Sequence, residues 1–209
     1  MGEIVAIARE DVGGFLHRPE GGSEIGLVLT HGAGGNCRSP LLTKTAAAFA
    51  AAGWWVLRCD LPFRRRRPRG SPSPSAAAAD RAGLRAALAA LRGFAPGRLF
   101  LGGQSYGGRQ ASLLAAEEPQ LAAGLLLLSY PLHPPGRPDA LRTAHFPRLH
   151  LPVVFVHGSR DPFGTLDELR AAMAAIPTPA QLIAIAGAGH VLKRGEFDAA
   201  PVVAALTRS

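Results

Sequence analysis

The chain is poor in cysteine and lysine and has no long hydrophobic run. Only Cys37 and Cys59 occur among 209 residues, too few for a disulfide framework. That scarcity suits a reducing compartment, so a cytoplasmic protein is expected; two ordinary thiols are the simpler reading, with an oxidative link between them left open. The longest apolar stretches, "AAAFAAAGWWVL" and "LAAGLLLL", fall short of the ~20 residues that cross a bilayer, so no membrane span is expected. The opening "MGEIVAIARED" carries acids where a secretory leader carries lysine or arginine, and Ala6 breaks the myristoylation pattern. Neither leader nor lipid anchor is expected. No G-K-[ST] follows a glycine-rich turn, and Cys37 stands where "HGAGGN" would need glycine to complete G-x-G-x-x-G. The common nucleotide-binding loops are therefore excluded.

Charge is present but lopsided. The formal net charge is +8, and apart from Lys44 and Lys193 the basic side chains are all arginine. Clustered cations can bind nucleic acid. However, Arg, Ala, Gly and Pro share GC-rich codons, so the excess is discounted and nucleic acid is disfavoured as a partner. With 47% hydrophobic and 18% charged residues, the composition is that of an ordinary globular chain with one well-buried core. Residues 1–209 read as a single domain.

Short apolar runs alternate with helix-forming segments. "EIVAIARE" and "VGGFLHRP" read as two opening strands, and "IGLVLT", "WWVLRCD", "RLFLGG", "GLLLLS", "PVVFVHG" and "QLIAIAG" as six more. Between them lie helices in "LLTKTAAAFAAAG", with Gly53 as its stop, in the segment after Ser75, which can cap it, and in "YGGRQASLLAAEE" and "LDELRAAMAAI". In the segment after Ser75, Leu84, Leu88 and Leu91 share one face. A last helix is expected near residues 198–208, with Pro201 in its first turn. Continuous rather than alternating hydrophobicity in the strands means burial on both faces, hence a mostly parallel sheet with helices on both sides.

Within "FLGGQSYGGRQ", Gly103-Gln104-Ser105-Tyr106-Gly107 fits G-x-S-x-G, directly after a strand and before a helix. That is the context of a nucleophile elbow, where residues two before and two after the serine must be small. A flexible Gly/Ser loop would look similar by itself. Two other strand ends separate the readings. Asp161 follows "VVFVHG", and His190 follows the last strand. Either residue alone could be an ordinary turn residue, Asp161 before Pro162 or His190 in a glycine-rich loop. However, strand carboxyl ends of an open parallel sheet face one crevice, so the three can converge there. "HGAGGN" after the third strand can expose the Ala33 N–H beside the Tyr106 N–H as an oxyanion hole. His31 and His157 precede glycines at strand ends without metal-binding spacing, so structural roles are expected, with no metal site.

The blocks "LTHGAGGN", "GGQSYGGR", "SYPLHPPGRP" and "VHGSRDPFGT" span the chain in order. They resemble the α/β-hydrolase superfamily and, more narrowly, its small KANSL/Tex-type branch, similar in outline to dienelactone hydrolases. The resemblance implies an α/β-hydrolase fold with the triad Ser105, Asp161 and His190. It brings no substrate. The residues imply covalent acyl transfer from a small-molecule ester without cofactor or metal. Only residues 130–150 separate the sixth and seventh strands, so no large lid is expected and small or exposed esters are favoured. Gly34, Tyr106, Tyr130 and His133 are candidate pocket residues, although His133 would sit equally well in a proline-rich turn.

"LPFRRRRPRGSPSPS" reads as a mobile loop in which Arg64, Arg65, Arg66 and Arg67 repel one another. A solvated loop is the simplest account. Recruitment of anionic substrates, or docking of an acidic protein partner, are alternatives. The competing view of the whole chain is a hydrolase-fold interaction module without turnover.

Overall fold

The computed structural model describes residues 2–193 and 198–207. Two short strands, β1 (Ile4–Ala8) and β2 (Gly13–His17), form an antiparallel pair at one edge. Six further strands follow: β3 (Gly26–Thr30), β4 (Trp55–Cys59), β5 (Leu99–Gln104), β6 (Leu125–Leu128), β7 (Val153–Gly158) and β8 (Ala180–Ile185). They build one sheet in the order β1-β2-β4-β3-β5-β6-β7-β8, parallel from β4 onward. The order reverses at β3: the chain steps outward to β4 and then returns past β3 to β5. Such a switch point opens a crevice at the strands' carboxyl ends.

The helices are α1 (Pro40–Ala51), α2 (Pro62–Arg66), α3 (Ala77–Arg92), α4 (Tyr106–Glu117), α5 (Leu166–Met173) and α6 (Ala200–Thr207). Every residue of β3, β6 and β7 is buried, which explains their unbroken apolar sequences. Successive side chains point to opposite faces. Val28, Leu125 and Phe155 thus pack with Leu84 and Leu88 of α3, Leu114 of α4 and Leu169 of α5. Leu27, Leu126 and Val154 pack with Phe49 of α1 and Leu206 of α6. The sheet is therefore the middle layer of three, with its reactive edge uncovered by any large insertion.

The helix ends partly follow the sequence reading. Gly53, at φ +90°, terminates α1, and Pro201 lies in the first turn of α6. Residue 208 of the expected last helix lies outside the described residues. Ser75 does not cap α3: it lies in a 3-10 turn, Pro74–Ala76, with its hydroxyl against that of Ser73. At the start of α5, Thr165 forms a capping box that the sequence reading did not include: it accepts from the Glu168 N–H while the Glu168 carboxylate accepts from the Thr165 N–H.

The arginine-rich segment differs most from expectation. Residues 62–66 form α2, whose Phe63 and Arg64 are buried. Phe63 enters the apolar layer beside α3, and its N–H is held by the buried Asp80 carboxylate at 3.0 Å. Only the following residues, from Arg65 onward, face solvent as a charge run would.

Candidate active site

The elbow between β5 and α4 is built from close approaches of backbone. A Cβ on Gly103 would lie 2.7 Å from the Gly107 carbonyl carbon, and one on Gly107 would lie 2.5 Å from the His31 oxygen. Larger residues there would force strand and helix apart. Ser105, with φ 50° and ψ −117°, occupies a left-handed conformation that a side chain rarely adopts. Its own N–H is held by Leu128 O at 2.8 Å, and its carbonyl accepts from Arg109 N–H as α4 begins. The hydroxyl is thereby presented above the sheet.

Two residues from neighbouring strand ends meet it. Ser105 Oγ is 2.8 Å from His190 Nε2, and His190 Nδ1 is 2.8 and 3.0 Å from the two Asp161 oxygens. Asp161 is buried, and its Oδ1 also accepts the Phe163 N–H at 2.9 Å, which fixes the carboxylate plane. The Phe163 ring lies against the imidazole, with centroids 4.1 Å apart. With Nδ1–H committed to Asp161, Nε2 is left to accept the serine proton.

The turn after β3 passes directly over the nucleophile. It is secured from two directions. His31 donates from Nδ1 to Gly32 O at 2.8 Å and accepts at Nε2 from the Leu61 N–H at 3.1 Å. That arrangement requires the neutral ring, and burial lowers its pKa. From the other side, buried Arg64 donates to Ala33 O at 2.7 Å, Gly35 O at 2.8 Å and Gly70 O at 2.9 Å. One guanidinium fork thus holds both the turn and the loop that leads into α3. Arg65 likewise donates to Arg9 O and Glu10 O, so two of the four arginines serve backbone carbonyls of their own chain. Behind the elbow, Tyr106 Oη donates to Asp80 Oδ2 at 2.7 Å, and burial followed by this bond raises the phenol's pKa.

Two cavities open onto Ser105. One, of about 520 Å³, is lined by Gly34, Pro40, Leu41, His190 and Val191. The other, of about 620 Å³, runs between Tyr106, Arg109, Gln110, Arg142 and residues 71–74. Ala33 borders both. A larger hollow of about 950 Å³ between α1 and α6 contains none of these residues.

The family model of the Alpha/beta hydrolase domain matches residues 23–201. The chain belongs to this family. Among solved structures it is similar to TT1662 from Thermus thermophilus, with TM-score 0.79 and 21% identity over 100% of this chain and 98% of that one. It is similar also to a dienelactone hydrolase from Anabaena variabilis, with TM-score 0.74 and 21% identity over 100% and 95%. XC6422 from Xanthomonas campestris, described as an α/β serine hydrolase without lid, shares 18% identity at TM-score 0.70 over 99% and 92%. In this α/β-hydrolase domain the stretch between β6 and β7 likewise carries no lid, only a 3-10 turn at Phe146–Arg148.

Of the remaining sequence-selected residues, Gly34 borders the first cavity and Tyr106 the second, whereas Tyr130 and His133 line neither. Ser129 turns the chain at φ 48°, which sends Tyr130 inward against Phe146 and Phe155, its Oη donating to Arg142 O. His133 is buried between Pro134 O, 2.8 Å from Nδ1, and the Glu168 carboxylate, 3.4 Å from Nε2. Cys37 and Cys59 are free buried thiols, both pushed up to about 12 chiefly by burial. Sequence reasoning missed Arg64, Asp80 and Phe163. Asp80 did leave a trace: it sits four residues before Leu84 on the otherwise apolar stripe of α3.

Proposed function

We propose that the protein is a serine hydrolase that cleaves a small ester or related acyl compound. The observation that carries this reading is the unbroken chain Ser105 Oγ, His190, Asp161, with both links at 2.8 Å. In the first step His190 Nε2 takes the Ser105 proton as Oγ bonds to the substrate carbonyl carbon. The carbonyl π pair moves to oxygen, where the Ala33 and Tyr106 N–H groups receive it; such a donor is worth about 3–4 kcal/mol in the transition state. The tetrahedral centre then expels the alcohol, which leaves with the proton from His190. Water repeats the sequence: it loses a proton to His190, attacks the acyl carbon, and Ser105 recovers its proton as the acid departs. Asp161 keeps Nε2 free in the resting state and stabilises the imidazolium in both halves.

The open crevice favours short acyl groups over long chains. Similarity to a dienelactone hydrolase and to a lidless serine hydrolase supports the same class. The narrower likeness to KANSL/Tex-type hydrolases rests on the four sequence blocks and adds no substrate. The test uses a fluorophosphonate probe with p-nitrophenyl acetate, butyrate and palmitate. Wild type is expected to label and to turn over the short esters, with palmitate slowest. Ser105→Ala should lose labelling and at least about 10⁴-fold in turnover. An inert wild type would favour an interaction module instead, and palmitate preference would contradict the open crevice.

A further inference from the structure

The two cavities beside Ser105 differ in chemistry. His190 lines only the first. Since His190 must protonate the departing alcohol, the leaving group belongs in that cavity and the acyl group in the other. The second cavity is lined by Arg81, Arg109 and Arg142 and by no aspartate or glutamate among the described residues. Arg81 is engaged, donating to Glu117 at 2.9 Å and to Gln110 Oε1 at 3.2 Å. The nearby Asp80 carboxylate is also committed, one oxygen to Phe63 N–H and the other to Tyr106 Oη.

Two donors in the lining have no protein partner among the described residues. Gln110 is fully buried, and with Oε1 fixed by Arg81 its Nε2 is unpaired; Arg109 Nε is buried and unpaired as well. A buried donor without an acceptor costs about 1–3 kcal/mol, so such pairs of orphans mark a place where a ligand completes the site. Arg109 lines this cavity together with Ser105, whose carbonyl accepts the Arg109 N–H. Burial and then the Arg109 charge lower the Arg142 pKa, as expected of two guanidiniums close enough to repel.

We propose that this second cavity binds an anionic group on the acyl portion of the substrate, so that the preferred esters derive from acids carrying a second negative charge. This rests on the serine-hydrolase reading for its orientation. Arg109 and Arg142 supply the charge-assisted hydrogen bonds, and Gln110 Nε2 supplies a neutral one. A carboxylate and a phosphate share the needed oxygens, and the assays separate them.

The experiment compares hydrogen 4-nitrophenyl glutarate with its neutral methyl ester. Wild type is expected to favour the anionic ester about tenfold or more in kcat/KM, and added salt should narrow the gap. Arg109→Gln and Arg142→Gln should each lower the ratio, and the pair should bring it near one; melting temperature checks that each variant is folded. Glutarate and inorganic phosphate are also titrated calorimetrically into Ser105→Ala. Arg109-dependent binding of glutarate alone assigns a carboxylate, and of phosphate alone a phosphate or phosphonate. A wild-type ratio near one, or a ratio untouched by both arginine substitutions, overturns the proposal. If neither ester is cleaved, the hydrolase reading fails by itself; glutarate or phosphate binding lost in Arg109→Gln still upholds the anion site, and absence of any such binding sinks it.

Discussion

Two segments meet over Ser105, and they are held in opposite ways. The elbow between β5 and α4 is shaped by its own backbone, with Gly103 and Gly107 in contact and Ser105 at φ 50°. The turn at residues 31–35 is fixed from outside, by the Arg64 guanidinium on one flank and the His31–Leu61 hydrogen bond on the other. A local motif therefore sets the nucleophile, while a remote side chain holds the turn that carries Ala33, one of the two amides proposed to receive the oxyanion. Damage to the first should be a failure of folding, and damage to the second a failure of catalysis.

The largest effect should come from Gly103→Val, because its branched side chain has no space at 2.7 Å from the Gly107 backbone. We expect little soluble protein, or a melting temperature lower by more than about 10 °C, with no fluorophosphonate labelling. A stable, active variant would mean that the elbow tolerates reshaping. Next, Arg64→Met should lower kcat about 10- to 100-fold while KM changes less than about threefold. Arg64→Lys should not restore kcat, since one ammonium cannot reach the Ala33, Gly35 and Gly70 carbonyls together. Loss of KM alone would show that Arg64 serves binding instead.

Acid strikes both segments. His145 is buried against Ser112 of α4, and His17 accepts from Arg58, which also donates to Cys37 O beside the turn. Burial, followed by neighbouring arginines, lowers both histidines to about 4. As pH falls below 6.5 the unfolded chain takes up these protons first, so stability should decline between pH 6.5 and 4. Melting curves across that range check it: His17→Gln and His145→Gln should each flatten the slope, and an unchanged slope would remove these groups from the account. Smallest is Thr165→Ala, which removes the α5 cap, a contact that belongs to neither segment. A loss of about 1 kcal/mol, or roughly 2–4 °C in melting temperature, is expected with ester turnover unaltered.

The same contrast explains what could be read from the residues alone. The strands and the elbow are written locally: β3, β6 and β7 as unbroken apolar runs, and the elbow as G-x-S-x-G between strand and helix. The meeting of Ser105, Asp161 and His190 followed because parallel strands deliver their carboxyl ends to one edge. Arg64 was illegible, since its burial depends on carbonyls about thirty residues away and its neighbours look like a solvated charge run. Tyr130 and His133 misled because one positive φ at Ser129 decides which way the chain leaves β6, and no sequence pattern announces it. Arg109 stood in plain view four positions after the serine, but that no aspartate or glutamate among the described residues lines its cavity is visible only in three dimensions.

The seclusion of Cys37 has a practical consequence. This thiol, 2% exposed and held protonated, sits just beyond the turn that Arg64 secures. A maleimide or disulfide reagent at neutral pH can reach it only when that region opens, so its modification rate becomes a clock for breathing of the turn. Loosening the Arg64 fork should make that clock run faster well before the molecule as a whole melts.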